Sequence, residues 1–214
     1  VSTFVLRVWL PDRPGALGAV ASRIGAVRGD LVGIDILERG AGRVIDELVV
    51  ELPSDDLLPL LVQEVAEVDG VDVEDAHAIV TPIADPRVDA LETAALLVEQ
   101  STREGLFDEL ASHLGHALEA EWVMVVDGDA DAALAVSGEP PPLTWVTAFV
   151  AGSQTSAPVA AGECGPDDVA CAPLAKSGLV VALGRKGRPF RARERRQLAM
   201  LARIADRRVV ELDG

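Results

Sequence analysis

The stretch from Pro11 to Asp35, PDRPGALGAVASRIGAVRGDLVGID, constrains the fold more than any other part of the chain. Ahead of it, residues 2–10 alternate, with Phe4, Leu6, Val8 and Leu10 on one side, as a half-buried strand requires. Past Asp12-Arg13-Pro14-Gly15 the apolar period changes. Leu17, Val20, Ile24 and Val27 fall at i, i+3, i+7 and i+10, the spacing of one helix face. Gly29-Asp30 closes that helix, and residues 31–37 read as a second strand.

The same grammar continues. Gly40-Ala41-Gly42 is a turn, and residues 44–52 form a strand with Val44, Leu48 and Val50 facing one way. Asp46 sits on that apolar side and spoils the alternation. Pro53-Ser54-Asp55-Asp56 offers an N-cap for a helix carrying Leu57, Leu58, Leu61, Val62 and Val65. Asp69-Gly70 turns the chain into a last strand over 71–80. The order βαββαβ predicts a ferredoxin-like sandwich with both helices on one sheet face. Val5, Trp9, Val32 and Ile34 are expected on the other face, where they suggest a partner.

Residues 81–89, TPIADPRVD, hold two prolines and no periodicity. They divide the chain into a domain over 1–82, a linker over 83–87 and a domain over 88–214. In the second part, helices are expected at 89–102 and 106–118, broken at Glu104-Gly105. Strands are expected at 121–126 and 132–136 around Asp127-Gly128-Asp129, and a third at 143–150 after Pro140-Pro141-Pro142. Residues 152–168 read as irregular, 169–175 and 179–184 as a hairpin, and 192–212 as a helix with Leu198, Leu201, Ala205 and Val209 on its apolar stripe. The fold class is therefore α+β throughout.

The first part resembles the start of an ACT domain, a small regulatory module that often binds amino acids between two copies. The resemblance rests on the Asp12-Arg13-Pro14-Gly15 turn within the βαββαβ order. It implies a homodimer and a non-catalytic sensor. The free N–H groups of Gly15, Ala16 and Leu17 at a helix start suit a ligand carboxylate. Pro14 has a φ suited to a helix start, and Gly15 lets backbone approach a ligand. Asp12 is expected either to cap the helix or to receive an ammonium group, and Arg13 completes the loop. By the same resemblance the loop faces Asp30, Leu31, Val32 and Gly33 of a partner copy. Many binders carry Asn just before that strand; here the position holds Leu31, with Asp30 adjacent. The second part resembles a GAF-type domain through GLVVALGRKGRPFRARERRQLAMLARIA: a strand, a loop with Pro189-Phe190, and a long helix. That resemblance implies a small-molecule site or a dimerisation unit. The rival readings are an interaction module without a ligand and an enzyme built on the second domain.

Charge narrows the partners. The net charge of −16 repels nucleic acid and anionic membranes. Residues 185–214 reverse the sign, with ten basic and four acidic side chains. Their cluster of Arg185, Lys186, Arg188, Arg191, Arg193, Arg195 and Arg196 lacks the aromatic interleaving of a single-strand-binding surface. It is expected to pair with Glu92, Glu99 and Glu104. His113 and His116 lie on one helix with Glu109 and Glu119 nearby, but a metal site needs ligands from a second element, so no metal is expected. Asp127, Asp129 and Asp131 lack the Gly and distal Glu of a calcium loop. Cys164 and Cys171 have no basic neighbour to activate a thiolate. No nucleophile elbow, phosphate loop or dinucleotide fingerprint is present, so no cofactor is expected. No leader or membrane span is visible, and a cytoplasmic protein is expected.

Overall fold

The computed structural model describes residues 1–79, 86–156 and 166–214. It is mixed α+β, with two four-stranded antiparallel sheets and six α-helices among the described residues. The chain divides into two units, Val1–Pro82 and Ile83–Gly214. Most of the expected 83–87 linker lies outside the described residues, as does Cys164.

The first unit runs β1 (Ser2–Pro11), α1 (Ala16–Ala26), β2 (Asp30–Gly40), β3 (Arg43–Leu52), α2 (Leu58–Ala66) and β4 (Asp72–Ile79). Strand order β2-β3-β1-β4 makes this the ferredoxin-like sandwich that the periodicity predicts. Phe4, Leu6, Val8 and Leu10 of β1 meet Leu48, Val50 and Leu52 of β3, with Val20 and Ile24 of α1 and Leu61 and Val65 of α2 above them. Pro53 to Asp56 does not cap α2. A 3₁₀ turn, Asp55–Leu57, precedes the helix instead, and no side chain bonds its first amides.

The distribution of exposed apolar residues differs from expectation. Val5, on the face away from α1 and α2, is 6% exposed. On the edge strand β2, Val32, Ile34 and Ile36 are exposed. The β2–β3 register shifts between Leu31 and Gly33, so Ile34 lies opposite Leu48 and Ile36 opposite Asp46. A bulge adds one residue and re-aims the side chains beyond it. It moves Ile34 to the helix-bearing side, whereas simple alternation puts it on the other.

The second unit runs α3 (Pro86–Glu99), α4 (Arg103–Ala117), β5 (Trp122–Asp127), β6 (Ala132–Gly138), α5 (Leu143–Thr155), β7 (Val169–Leu174), β8 (Leu179–Gly184) and α6 (Ala192–Leu212). Sheet order is β6-β5-β8-β7. Leu198, Leu201, Ala205 and Val209 of α6 are buried, as their stripe predicts, against Leu97 of α3, Leu106, Leu110 and Leu114 of α4, and the inward residues of β5, β7 and β8. The α3–α4 break falls at Gln100 to Thr102, earlier than Glu104-Gly105. There the Thr102 hydroxyl caps α4 by accepting from Gly105 N–H at 3.1 Å.

Residues 143–150 form the start of α5, not a strand, and the helix continues past Gly152. Its β-branched, aromatic composition favours a strand locally. Tertiary packing decides otherwise, because Leu143, Val146 and Val150 fall at i, i+3 and i+7. That stripe covers the second face of the sheet, packing on Trp122, Met124, Val126, Val180 and Ala182.

Three arginines of the basic cluster bond locally. Arg185 pairs with Glu194 at 2.6 Å, Arg188 pairs with Glu119, and Arg195 donates to the carbonyls of Phe190, Asp167 and Val169. No ion pair among the described residues reaches Glu92, Glu99 or Glu104, so the expected pairing is wrong. Glu92 and Glu99 sit on α3 and Glu104 on α4, whereas Arg185, Arg188 and Arg195 bond around the β8–α6 connection.

Candidate functional site

Gly15 is the pivot of the candidate site. It takes φ 87°, a left-handed conformation that costs glycine little and other residues about 1–2 kcal/mol. That turn brings the chain from β1 into α1 with no side-chain cap, so Asp12 does not cap the helix as expected. Asp12 is instead exposed, its amide donating to Gly42 O at 2.9 Å. Pro14 lies in the turn ahead of the helix. The Ala16 amide donates to Arg13 O at 3.3 Å, which withdraws it from the expected trio. The amides of Gly15 and Leu17 have no backbone acceptor among the described residues. They are the donors available at the positive end of α1.

An open groove of about 430 Å³ borders this turn. It is lined by Arg13, Pro14, Gly15 and Ala16 from the loop, Ala19 and Arg23 from α1, and Glu67, Val68 and Asp69 after α2. Its charges are paired across it: Arg13 with Asp69 at 3.3 Å, and Arg23 with Glu64 at 2.8 Å and Glu67 at 3.4 Å. Leu17 is partly buried against the core beneath.

The second expected segment is not beside the first. Asp30 pairs with Glu51, which pairs with Thr3, whereas the loop follows Pro11 opposite Arg43. Within one chain the two segments are therefore about 30 Å apart along the sheet. Leu31 packs into its own core, so its side chain is not offered outward. Asp30 and Val32 are exposed. Gly33 is held close to β3: a Cβ there would lie 3.1 Å from Val49 Cγ2.

Asp46 is the acid that breaks the alternation of β3. It lies in β3 opposite Val8, on the helix-bearing side, and is 5% exposed. Its Oδ1 is buried with no hydrogen-bond partner. Burial pushes its carboxyl above the ordinary value; Arg39 opposes the rise and Asp12 adds to it. The broken alternation at Asp46 was the only signal in the sequence.

That carboxyl carries a pH signature. Folding raises its pKa above an unfolded value near 3.8, so the native state binds the proton more tightly. Stability from this group is complete below that value and is lost as pH rises through the native pKa. Asp46→Asn should abolish the slope and stabilise the first unit by about 1 kcal/mol near neutral pH, since an unsatisfied buried charge is removed. Urea melts of both proteins between pH 4 and 8 check this; parallel profiles would show a carboxyl that is effectively solvated.

Other sequence candidates resolve into structure. Asp127 Oδ1 accepts from the amides of Asp129 and Ala130, each at 3.0 Å, which makes a turn. His113 pairs with Glu109 at 3.1 Å. Among the described residues no group of three or more His, Cys, Asp or Glu is placed to hold a metal. Nor is any helix among them long and apolar enough to cross a membrane.

The fold is thus a ferredoxin-like unit followed by an α+β unit with helices on both sheet faces. No family model matches the chain, and no curated protein matches it. Among solved structures, it is similar to a formyltetrahydrofolate deformylase from Pseudomonas putida KT2440, with TM-score 0.30 and 18% identity. That match covers 42% of this chain and 36% of the deformylase, so it spans about a third of that protein. An unknown protein from Galdieria sulphuraria matches over 98% of this chain and 92% of its own, with TM-score 0.35 and 12% identity.

Proposed function

We propose that this protein is a non-catalytic regulatory sensor that dimerises through its first, ACT-like unit and binds a small zwitterion, an amino acid by preference. The observation that carries the reading is the Gly15 turn, which offers the Gly15 and Leu17 amides at a helix start with no backbone acceptor for them among the described residues. A ligand carboxylate is the group such amides select. The edge position of β2 and its exposed Val32, Ile34 and Ile36 support dimerisation. Antiparallel pairing of two β2 strands about a two-fold axis would bring the partner's Asp30, Leu31, Val32 and Gly33 towards the Asp12 to Leu17 loop. That removes the separation found within one chain. The GAF-like second unit serves as a further binding or dimerisation module in this reading.

Two measurements test it together. Sedimentation equilibrium at micromolar concentration should give twice the 22.4 kDa chain mass. A thermal-shift screen of the twenty amino acids should give at least one stabilising ligand, worth about 2.7 kcal/mol at 100 times its Kd. A monomer indifferent to all twenty would sink the proposal. Gly15→Val is a poor probe here, since the space is open but φ 87° strains any side chain.

A further inference from the structure

We infer that Asp46 is the receptor for a primary ammonium group, and that the ligand site takes an aliphatic amine-bearing molecule along the Ile34 and Ile36 row. The inference rests on the sensor reading above and assigns the end of the ligand that the Gly15 turn leaves unaccounted for.

Three observations converge on one side of the sheet. Asp46 is a carboxylate 5% exposed whose Oδ1 has no hydrogen-bond partner. Buried polar groups are normally paired, and a buried charge left alone is retained at a cost. A protein that keeps one next to a ligand loop gains by it only when something cationic arrives. Arg39 is an opposite charge that acts on it, yet Arg39 is exposed and makes no ion pair with it. The carboxylate is therefore not neutralised from within the chain.

Position gives the direction. Asp46 lies opposite Val8 in β1 and Ile36 in β2, and Asp12 at the start of the loop is close enough to act on it electrostatically. The carboxyl thus lies at the loop end of the sheet, between the Asp12 to Leu17 turn and the uncovered β2 edge. Asp46 is buried in the sheet, and Asp12 is exposed at the start of the loop. The carboxylate of a zwitterion belongs on the Gly15 and Leu17 amides, and its ammonium on Asp46 with Asp12 assisting. The apolar body then lies along Ile34 and Ile36, which are 46% and 43% exposed on the same side. An ammonium in that place gains charge-assisted hydrogen bonds and relieves the unpaired oxygen.

The test uses the full chain, L-leucine, N-acetyl-L-leucine and 3-methylbutylamine, titrated calorimetrically into wild type and Asp46→Asn. Asp46→Asn keeps the side-chain shape and removes a buried charge, so it is expected to fold. L-leucine should bind wild type, with at least tenfold loss on N-acetylation and at least tenfold loss in Asp46→Asn. The variant should also become indifferent to N-acetylation, which a merely structural role for Asp46 does not produce. If 3-methylbutylamine binds wild type and not the variant while L-leucine binds neither, the ammonium site stands and the zwitterion sensor reading fails. If L-leucine binds wild type and Asp46→Asn equally, the sensor reading stands and this inference is overturned. Binding of neither compound to wild type overturns it as well.

Discussion

Arg185→Ala should destabilise the second unit by about 3–5 kcal/mol, the usual result of removing one member of a buried ion pair. Arg185 is 2% exposed and Glu194 8%. The guanidinium donates from Nη1 to Leu118 O at 2.7 Å, from Nε to Arg188 O at 3.0 Å, and from Nη2 to Pro189 O at 2.8 Å and Glu194 Oε1 at 2.6 Å. It also lies over the Phe190 ring, 4.1 Å from the centroid. Its loss takes the guanidinium from Glu194 Oε1 and from three carbonyls where α4, the loop after β8 and α6 meet. Lysine cannot replace it, because a single ammonium does not span that fork of acceptors. Arg188→Ala, which removes a more exposed pair with Glu119, should cost less than about 1 kcal/mol. Urea unfolding of Arg185→Ala, Arg185→Lys and Arg188→Ala decides the matter. A loss near 1 kcal/mol for Arg185→Ala would mean that water replaces the guanidinium.

Gly138→Ala should be at least as damaging, costing more than about 3 kcal/mol or preventing folding of the second unit. Gly138 ends β6 with φ 72°, and a Cβ there would lie 1.9 Å from the carbonyl oxygen of Glu121. The obstacle is backbone in the neighbouring connection, so no rotamer relieves it. Gly178→Ala is the matched control. It shares the left-handed φ, at 74°, but its Cβ would meet nothing within 4 Å. That variant should lose only the conformational term, about 1–2 kcal/mol. Equal melting temperatures for the two variants would show that the Glu121 backbone moves aside freely.

The βαββαβ order could be read because β1 and α1 each keep one strict period, from Phe4 to Leu10 and from Leu17 to Val27. Residues 143–150 could not be read so well. Their β-branched content argues for a strand, and only the sheet face they cover makes them α5. The bulge in β2 was invisible for a related reason: one inserted residue leaves composition unchanged but turns Ile34 round. At the site, the Gly15 turn announced itself through its sequence. Asp46 showed only as an acid in an apolar row, and its unpaired oxygen depends on what three elements fail to supply. The capping expectations at Asp12 and at Pro53 to Asp56 failed because the left-handed Gly15 turn and the Asp55–Leu57 3₁₀ turn, with no side-chain cap, lead the chain into those helices.

The way α6 closes the second unit bears on the order in which the protein is made. Arg208 on α6 donates to Gln100 O through Nε at 3.0 Å and Nη2 at 2.7 Å, and Arg103 meets Asp213 at 3.1 Å. The first helices of the unit are thus fastened to its last. At a synthesis rate of about 5–20 residues per second, the first unit has all its strands while the second still lacks its final wall. Leu97, Leu106, Leu110 and Leu114 then await a surface that exists only once residue 212 has been translated. A nascent chain of this kind spends several seconds with that apolar layer uncovered, and truncations within α6 should be caught by chaperones or proteases sooner than equally long truncations elsewhere.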